Sequence, residues 1–138
     1  MKSRRNDHVG TGVCLAILLA GLTWVASPAA AGDAAAGERV FNQCKACHQV
    51  GEGAKNRAGP TLNGIVGAPA GAVEGFRYSR VMVESGLTWD QETLAAYLTD
   101  PRGFMPGNRM AFRGLRSESD VADVIAYMAS FGPDGTRQ

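Results

Sequence analysis

The chain has 138 residues, with 14 lysines and arginines against 13 acidic residues and a formal net charge of +1. This length leaves room for one small domain, and 18 glycines indicate that much of it is loop. The near balance of charge excludes a strongly basic chain of the kind that binds nucleic acid.

The first 31 residues have the features of a secretory signal peptide. Three basic residues lie within the first five positions, an apolar stretch spans 13–25, and alanines at 29–31 form a cleavage site. We therefore expect a cleaved signal over 1–31 and a single domain over 32–138, exported to the periplasm. The alternative is an uncleaved anchor, but about 13 apolar residues fall short of the ~20 that a membrane span requires.

A first helix is predicted from Asp33 to Cys44. Asp33 is a suitable N-cap, and Val40 and Phe41 would lie on the inner face. Gly37 interrupts the local helix propensity. It is either a weak point in the helix or a place where another helix approaches closely.

Cys44, Cys47 and His48 form the pattern Cys-x-x-Cys-His. Two thiols one helical turn apart can bond covalently to the two vinyl groups of a haem, while the adjacent imidazole ligates its iron. The pattern therefore predicts one covalently attached haem c with its iron. A large apolar cofactor would also give so short a chain a core that its own side chains supply only marginally.

A zinc site, a redox-active cysteine pair and a structural disulfide are alternatives for the same residues. Structural zinc needs about four cysteine or histidine ligands, and only these three follow residue 31. A thioredoxin-like pair follows a strand, whereas the residues before Cys44 are alanine-rich and favour a helix. A disulfide between Cys44 and Cys47 would close almost no loop and would leave His48 without a role.

The middle of the chain, residues 51–75, is rich in glycine, includes two prolines and shows no sustained hydrophobic period. We interpret it as loops folded over the haem. A short helix is predicted over 79–85, ended by Gly86.

Two longer helices are predicted in the C-terminal half. One spans 88–99, with Thr88 and Gln91 as a weak capping box and Pro101 as its stop. The last helix spans 117–130. Its apolar stripe consists of Val121, Val124, Ile125 and Met128.

A haem iron with one histidine has a sixth position to fill. Because one histidine follows residue 31, bis-histidine ligation is excluded, and the soft donors are Met82, Met105, Met110 and Met128. Met128 belongs to the apolar stripe and Met82 to the short helix, so core packing accounts for both. Met105 and Met110 flank a Pro-Gly turn in a loop long enough to cross a haem face. The residue types leave both open and favour Met110, which lies at the tip.

Residues 105–112, Met-Pro-Gly-Asn-Arg-Met-Ala-Phe, resemble the methionine loop of class I cytochrome c of the mitochondrial and purple-bacterial kind. In that pattern the methionine four residues after the proline binds iron, which here is Met110. The resemblance implies an all-α, small class I cytochrome c fold, with the N- and C-terminal helices crossing and loops wrapped around one covalently bound haem. Its further motifs over 32–131 are Gly37 and Phe41, Cys-x-x-Cys-His, Gly59-Pro60, Gly75-Phe76-x-Tyr78, Leu87-Thr88-Trp89, Tyr97-Leu98, Pro101 and Ala126-Tyr127.

The same resemblance implies contacts on both faces of the haem. Pro60 would accept a hydrogen bond from the second ring nitrogen of His48, as partners of metal-bound histidines do. Tyr97 would lie beside the Met110 sulfur, although its spacing also suits a core residue of any helix. At the crossing of the first and last helices, the packed residues would be Gly37, Phe41, Val124 and Tyr127.

Tyr78 and Trp89 would hydrogen-bond an inner haem propionate by the same resemblance. The chain departs from the family's pattern where many members have an arginine near the propionates, because Ala68 stands there, and Arg77 is a candidate to replace it. Asn108 stands where a threonine is usual beside the methionine. Arginines replace the usual front-face lysines.

Ligation by His48 and Met110 would close both axial positions, so the iron could change oxidation state without binding a substrate. We therefore expect a soluble one-electron carrier and not an enzyme. The alternative is a peroxidase-like c-haem enzyme or a gas-binding sensor. Either would need an open sixth site.

The expected partners are redox proteins: a cytochrome bc-type complex, a terminal oxidase, a photosynthetic reaction centre or a periplasmic dehydrogenase. We expect a monomer, with no stable membrane anchor and no nucleic acid. Loss of the signal leaves 11 basic and 12 acidic residues, yet residues 101–117 hold no acid and an arginine patch made of Arg102, Arg109, Arg113 and Arg116. This patch is either a solvated face or a docking surface for acidic partners.

The resembled family also has a lysine in the methionine loop that displaces the sulfur from ferric iron in alkali. Here only Lys45 and Lys55 follow residue 31, and both belong to the histidine side of the haem. An arginine does not lose its proton in ordinary buffers. We therefore expect the Met110 bond to persist to higher pH than in lysine-bearing relatives.

Overall fold

The computed structural model describes residues 31–138, so the predicted signal peptide lies almost wholly outside the described residues. The helices are α1 (Ala34–Phe41), α2 (Arg80–Val83), α3 (Gln91–Thr99), α4 (Pro101–Phe104) and α5 (Glu118–Ala129). In this part of the chain β pairing is limited to two isolated bridges, so the fold is all-α as the resemblance implied. None of the helices described is long and apolar enough to cross a membrane.

Helix α1 begins as predicted, because the Asp33 carboxylate accepts a hydrogen bond from the Ala35 N–H at 2.8 Å. The helix ends at Phe41, three residues before the expected Cys44. The chain then continues as turns through Cys47. The predicted helix is therefore confirmed as far as Phe41, and the residues from 42 to 44 form turns instead.

Helices α1 and α5 cross at a glycine. A Cβ at Gly37 would collide with the Asp123 backbone carbonyl and would lie 2.8 Å from the Tyr127 Cβ. The Asp33 N–H donates to the Asp123 carboxylate at 2.7 Å, and the Phe41 and Tyr127 rings pack with their centroids 5.2 Å apart. Gly37 therefore marks a close helix contact rather than a weak point, and the predicted crossing is confirmed.

The segment between α1 and α2 contains turns and loops, so the loop prediction for residues 51–75 is confirmed, while their position over the haem stays a prediction. Backbone hydrogen bonds fix its course: the Gly59 N–H donates to the Cys47 carbonyl at 2.9 Å, and the Ala70 N–H donates to the Leu87 carbonyl at 2.8 Å. Helix α2 lies inside the predicted 79–85 but is shorter, with four residues.

The N-terminus of α3 differs from the prediction. Asp90 is the N-cap: its carboxylate accepts from the Thr93 N–H at 2.8 Å, while the Asp90 N–H donates to the Thr93 hydroxyl at 3.0 Å. The predicted Thr88–Gln91 box is therefore wrong, because a start two residues later satisfies two N–H groups reciprocally. Pro101 also does more than stop α3, since it opens α4 at a position where its missing N–H costs nothing.

Helix α5 agrees with its prediction to within one residue, and the Ser117 hydroxyl accepts from the Asp120 N–H at 3.2 Å. Its apolar stripe packs against α1 and α3. The buried side chains of the core are Phe41, Ile65, Trp89, Leu94, Tyr97, Met105, Leu115, Val121, Val124, Ile125, Tyr127 and Met128. Loops from the middle of the chain complete this core. Of the candidate site residues, Trp89 and Tyr97 belong to the core, and Cys44 and Met110 pack against it.

Candidate haem site

Cys44, Cys47 and His48 lie on the turn that follows α1. The Cys47 and His48 N–H groups both donate to the Cys44 carbonyl, at 3.0 and 2.9 Å, and the Cys44 N–H donates to the Phe41 carbonyl at 2.8 Å. Both thiols are free, with Cys44 half-buried and Cys47 exposed. The turn therefore presents two thiols and an imidazole within one short segment.

The Cys44 thiol lacks the character of a redox-active or nucleophilic cysteine. Burial, with a smaller effect of the neighbouring Cys47, raises the pKa of Cys44 to about 11. A reactive cysteine needs a lowered pKa, and a thioredoxin-like pair follows a strand, whereas Cys44 follows a helix. The structure therefore argues against the redox-pair interpretation.

The His48 ring is oriented by the loop that carries Pro60. Its Nδ1 lies 2.7 Å from the Pro60 carbonyl oxygen. Since a carbonyl only accepts, Nδ1 carries the proton and Nε2 keeps the lone pair that a metal needs. Burial lowers the pKa of His48, against the opposing effect of the Pro60 hydrogen bond, so the neutral and ligating form is favoured.

Gly59 makes this approach possible. A Cβ at this buried position would collide with the His48 ring carbon Cε1 and would lie 2.7 Å from each ring nitrogen. The Gly59-Pro60 motif was visible in the sequence, but the packing of Gly59 on the imidazole was not. The sequence feature that could have indicated this packing is a glycine directly before Pro60, the residue that orients His48.

Met110 lies in the segment between α4 and α5, where Tyr97 of α3 contacts it. The Tyr97 hydroxyl lies 3.9 Å from the Met110 sulfur, within range for a hydrogen bond to sulfur. Tyr97 is only 6% exposed, and burial raises its pKa to about 12, so the hydroxyl stays protonated and can donate. The structure thus brings together the two residues that the resemblance pairs.

The other methionines of residues 31–138 have different surroundings. Met105 and Met128 are buried in the core, and Met82 packs at its edge. Met110 is half-buried, and among these four its sulfur alone has a hydrogen-bond partner. Core packing therefore accounts for Met105 and Met128 without a role in ligation.

Tyr78 and Trp89 lie in different environments. Tyr78 is half-buried ahead of α2, where burial raises its pKa and its ring centroid lies 4.8 Å from that of Phe76. Trp89 is buried and packs on Tyr97 with centroids 4.9 Å apart. Their predicted contact with a haem propionate stays a prediction.

Two residues of the methionine loop have contacts that the sequence did not indicate. The Asn108 carbonyl oxygen accepts from the Met110 N–H at 2.9 Å. The Arg109 guanidinium donates to the Arg77 carbonyl at 2.6 Å, which joins this loop to the segment before α2. For the Asn108 contact, the sequence offered one indication: a turn-forming asparagine follows Pro-Gly, and such side chains often accept a hydrogen bond from the backbone two residues on.

The donor set suits a covalently attached haem. Cys44 and Cys47 supply two free thiols, His48 a neutral imidazole nitrogen and Met110 a thioether. The surroundings of the imidazole support this assignment, because Gly59 packs closely on the ring and the Pro60 carbonyl fixes the tautomer that leaves Nε2 for a metal. When bound, haem c supplies an iron that alternates between ferrous and ferric states.

Comparisons with known proteins agree with this site. A family model described as cytochrome c matches residues 34–132. The cytochrome c2 of Rhodomicrobium vannielii is 52% identical over 116 residues, covering 84% of this chain and 93% of that protein. The cytochrome c2 of Blastochloris viridis is 48% identical over 112 residues, covering 81% of this chain and 88% of that protein.

Solved structures agree as well. The cytochrome c2 of Rhodospirillum centenum superposes with a TM-score of 0.70 at 39% identity, covering 74% of this chain and 100% of that one. The cytochrome cH of Methylobacterium extorquens gives a TM-score of 0.66 at 48% identity, covering 70% and 97%. The chain therefore belongs to the cytochrome c family: it is a class I c-type cytochrome of the purple-bacterial kind, an electron carrier with one covalently bound haem c and not an enzyme.

Proposed function

We propose that this protein is a periplasmic one-electron carrier in which His48 and Met110 bind the haem iron and Cys44 and Cys47 hold the haem covalently. The observation that carries the proposal is the Tyr97 hydroxyl 3.9 Å from the Met110 sulfur. A buried, protonated hydroxyl beside a thioether keeps that sulfur in one place. Partners outside the ligand set orient metal-bound residues in the same way.

Ligation on both faces would suit electron transfer rather than catalysis. With both His48 and Met110 bound to the iron, no position would remain at which a substrate, peroxide or gas could bind. A neutral imidazole and a thioether remain uncharged in either oxidation state of the metal. The soft sulfur of Met110 favours the ferrous state and so raises the reduction potential.

The competing function is that of a c-haem enzyme or gas sensor with an open sixth site. Carbon monoxide added to the reduced protein distinguishes the two functions. We expect the wild-type spectrum to stay unchanged, because Met110 occupies the position that the gas would take. Met110→Ala should bind the gas readily. Rapid binding by the wild-type protein would contradict the proposal.

The arginine patch is the proposed docking surface for acidic redox partners. All four of its arginines are exposed. Asp100 borders the patch, since a cleft of about 310 Å³ is lined by Asp100, Arg102 and Arg113 together with Ala111 and Phe112. The guanidinium of Arg109 is held by the Arg77 carbonyl, so Arg113 and Arg116 are the better residues for testing docking.

The proposed donors and acceptors are a cytochrome bc-type complex, a terminal oxidase, a photosynthetic reaction centre or a periplasmic dehydrogenase. A positive surface near the haem would steer such partners and would raise the association rate more than the final affinity. Reduction kinetics with isolated membranes of the source organism would identify the donor. Acidic partners should react several-fold more slowly as salt rises.

Export and processing form the last part of the proposal. We propose that residues 1–31 are removed, which leaves a mature chain that begins at Gly32. Intact mass spectrometry of the periplasmic fraction should show this chain with the mass of one haem added. A haem protein that retains residues 1–31 in the membrane fraction would contradict it.

A further inference from the structure

Asn108 bonds to both ends of the methionine loop. Its carbonyl oxygen accepts from the Met110 N–H at 2.9 Å and lies 3.4 Å from the Tyr97 hydroxyl, whose single proton is shared between this oxygen and the Met110 sulfur. Its amide nitrogen donates to the carbonyls of Pro101 and Met105, at 2.7 and 2.8 Å. One half-buried side chain thus uses its acceptor on the Met110 side and its two donors on the first residue of α4 and on the residue that follows this helix.

These contacts connect three parts of the structure. Pro101 begins α4 and Met105 follows its last residue, while Tyr97 belongs to α3. The loop between Met105 and Met110 turns at Gly107, whose φ of +89° favours glycine. A movement that withdrew Met110 from its position would therefore have to break the hydrogen bonds of Asn108.

We propose that Asn108 is the positioning residue that determines how readily the Met110 sulfur leaves the iron. The proposal rests on the proposed function, because it requires Met110 to be the ligand. Threonine, which the resembled family usually has here, carries one hydroxyl donor and cannot bond two carbonyls at the same time. The asparagine therefore closes the loop more completely than the usual residue would.

A purely structural role would make a different prediction, and Asn63 provides the matched control. The Asn63 side chain also joins two loop segments, accepting from the Gly51 N–H at 2.8 Å and donating to the Gly51 carbonyl at 3.0 Å. Its contacts lie on the loop after His48 and do not include Met110. Asn63→Ala should therefore lower overall stability without changing the release of methionine.

Imidazole binding to the ferric holoprotein, followed by absorption at neutral pH, measures this release. Added imidazole binds only where Met110 has left the iron, so its apparent affinity is proportional to the fraction of protein in that state. We expect Asn108→Ala to raise the apparent affinity about tenfold, since it removes several hydrogen bonds that each stabilise the closed loop. Asn108→Thr should give an intermediate value, because its hydroxyl can still accept from the Met110 N–H. Asn63→Ala should match the wild type.

The outcomes separate this inference from the proposed function. If the ferric wild-type protein shows no methionine coordination, the assignment of Met110 is wrong. If it shows methionine coordination but Asn108→Ala binds imidazole no more tightly than Asn63→Ala, the role of Asn108 is wrong. Should Asn108→Ala fail to incorporate haem, Asn108→Thr tests the role of Asn108 instead. If this variant bound imidazole with the same apparent affinity as the wild type, the inference would be overturned.

Discussion

Replacement of Gly37 by alanine should destabilise the protein by about 3 kcal/mol, although alanine is the better helix former. The added Cβ would collide with the Asp123 carbonyl and crowd the Tyr127 Cβ, and neither atom can rotate away. Overpacking of this kind costs about 1–3 kcal/mol. Separation of the helices would also weaken the Asp33–Asp123 hydrogen bond and the Phe41–Tyr127 ring pair, each worth about 1 kcal/mol. The gain of about 1 kcal/mol in helix propensity offsets only part of this loss.

Urea unfolding of the ferric holoprotein, followed by far-UV circular dichroism, measures the change in the free energy of unfolding. In thermal unfolding of a domain of this size, a loss of about 3 kcal/mol corresponds to a fall in Tm of about 12–24 °C. Ala35→Gly is the matched control, because Ala35 is exposed in the same helix and its loss costs propensity alone, about 1 kcal/mol or less. If Gly37→Ala were as stable as the wild type, or lost less stability than Ala35→Gly, the proposed role of the backbone contact would be refuted.

Three further predictions concern charge. Replacing Arg113 and Arg116 by glutamine should slow reduction by an acidic partner several-fold at low salt and flatten the salt dependence, and an unchanged rate at low salt would exclude the docking surface. Arg109→Lys should create a lysine-ligated ferric form in alkali, detectable by electron paramagnetic resonance, whereas the same signal in the wild type would contradict the expected absence of lysine ligation. Asp90→Asn should match the wild type in stability at pH 7, since asparagine caps equally well. Hydrogen bonds from Thr93 lower the pKa of Asp90 below its ordinary value of 3.8. Only the wild type should therefore lose this cap as the pH falls through that lowered pKa. Parallel acid denaturation curves of the wild type and Asp90→Asn would refute this role of the Asp90 carboxylate.

The features that the sequence predicted correctly depend on short-range interactions. Asp33 caps α1 and Ser117 caps α5 through N–H groups two or three residues away, so the residue types alone indicate where these helices begin. The Cys-x-x-Cys-His pattern is local in the same sense, because Cys47 and His48 both bond to the Cys44 carbonyl. Such interactions can be read from spacing without knowledge of the fold.

The features that could not be predicted from the sequence depend on partners far apart along the chain. Thr88 and Asp90 are both suitable caps, but Thr88 pairs with Pro69 in a β-bridge, which holds it in extended backbone and leaves the cap to Asp90. The Arg109 side chain donates to a carbonyl 32 residues away. The contacts of Asn108 likewise reach back to α3 and α4. No pattern within one loop specifies such partners, because the packing of the whole chain brings them together.

The identity of the sixth ligand is the central claim, and the far-red absorption band of methionine sulfur bound to ferric haem tests it most directly. The measurement compares the wild type, Met105→Leu and Met110→Leu. Met105→Leu is the control, since it removes a sulfur at nearly constant volume and should cost under ~1.5 kcal/mol. The band should be present in the wild type and in Met105→Leu but absent from Met110→Leu. Persistence of the band in Met110→Leu, or its loss in Met105→Leu, would contradict ligation by Met110.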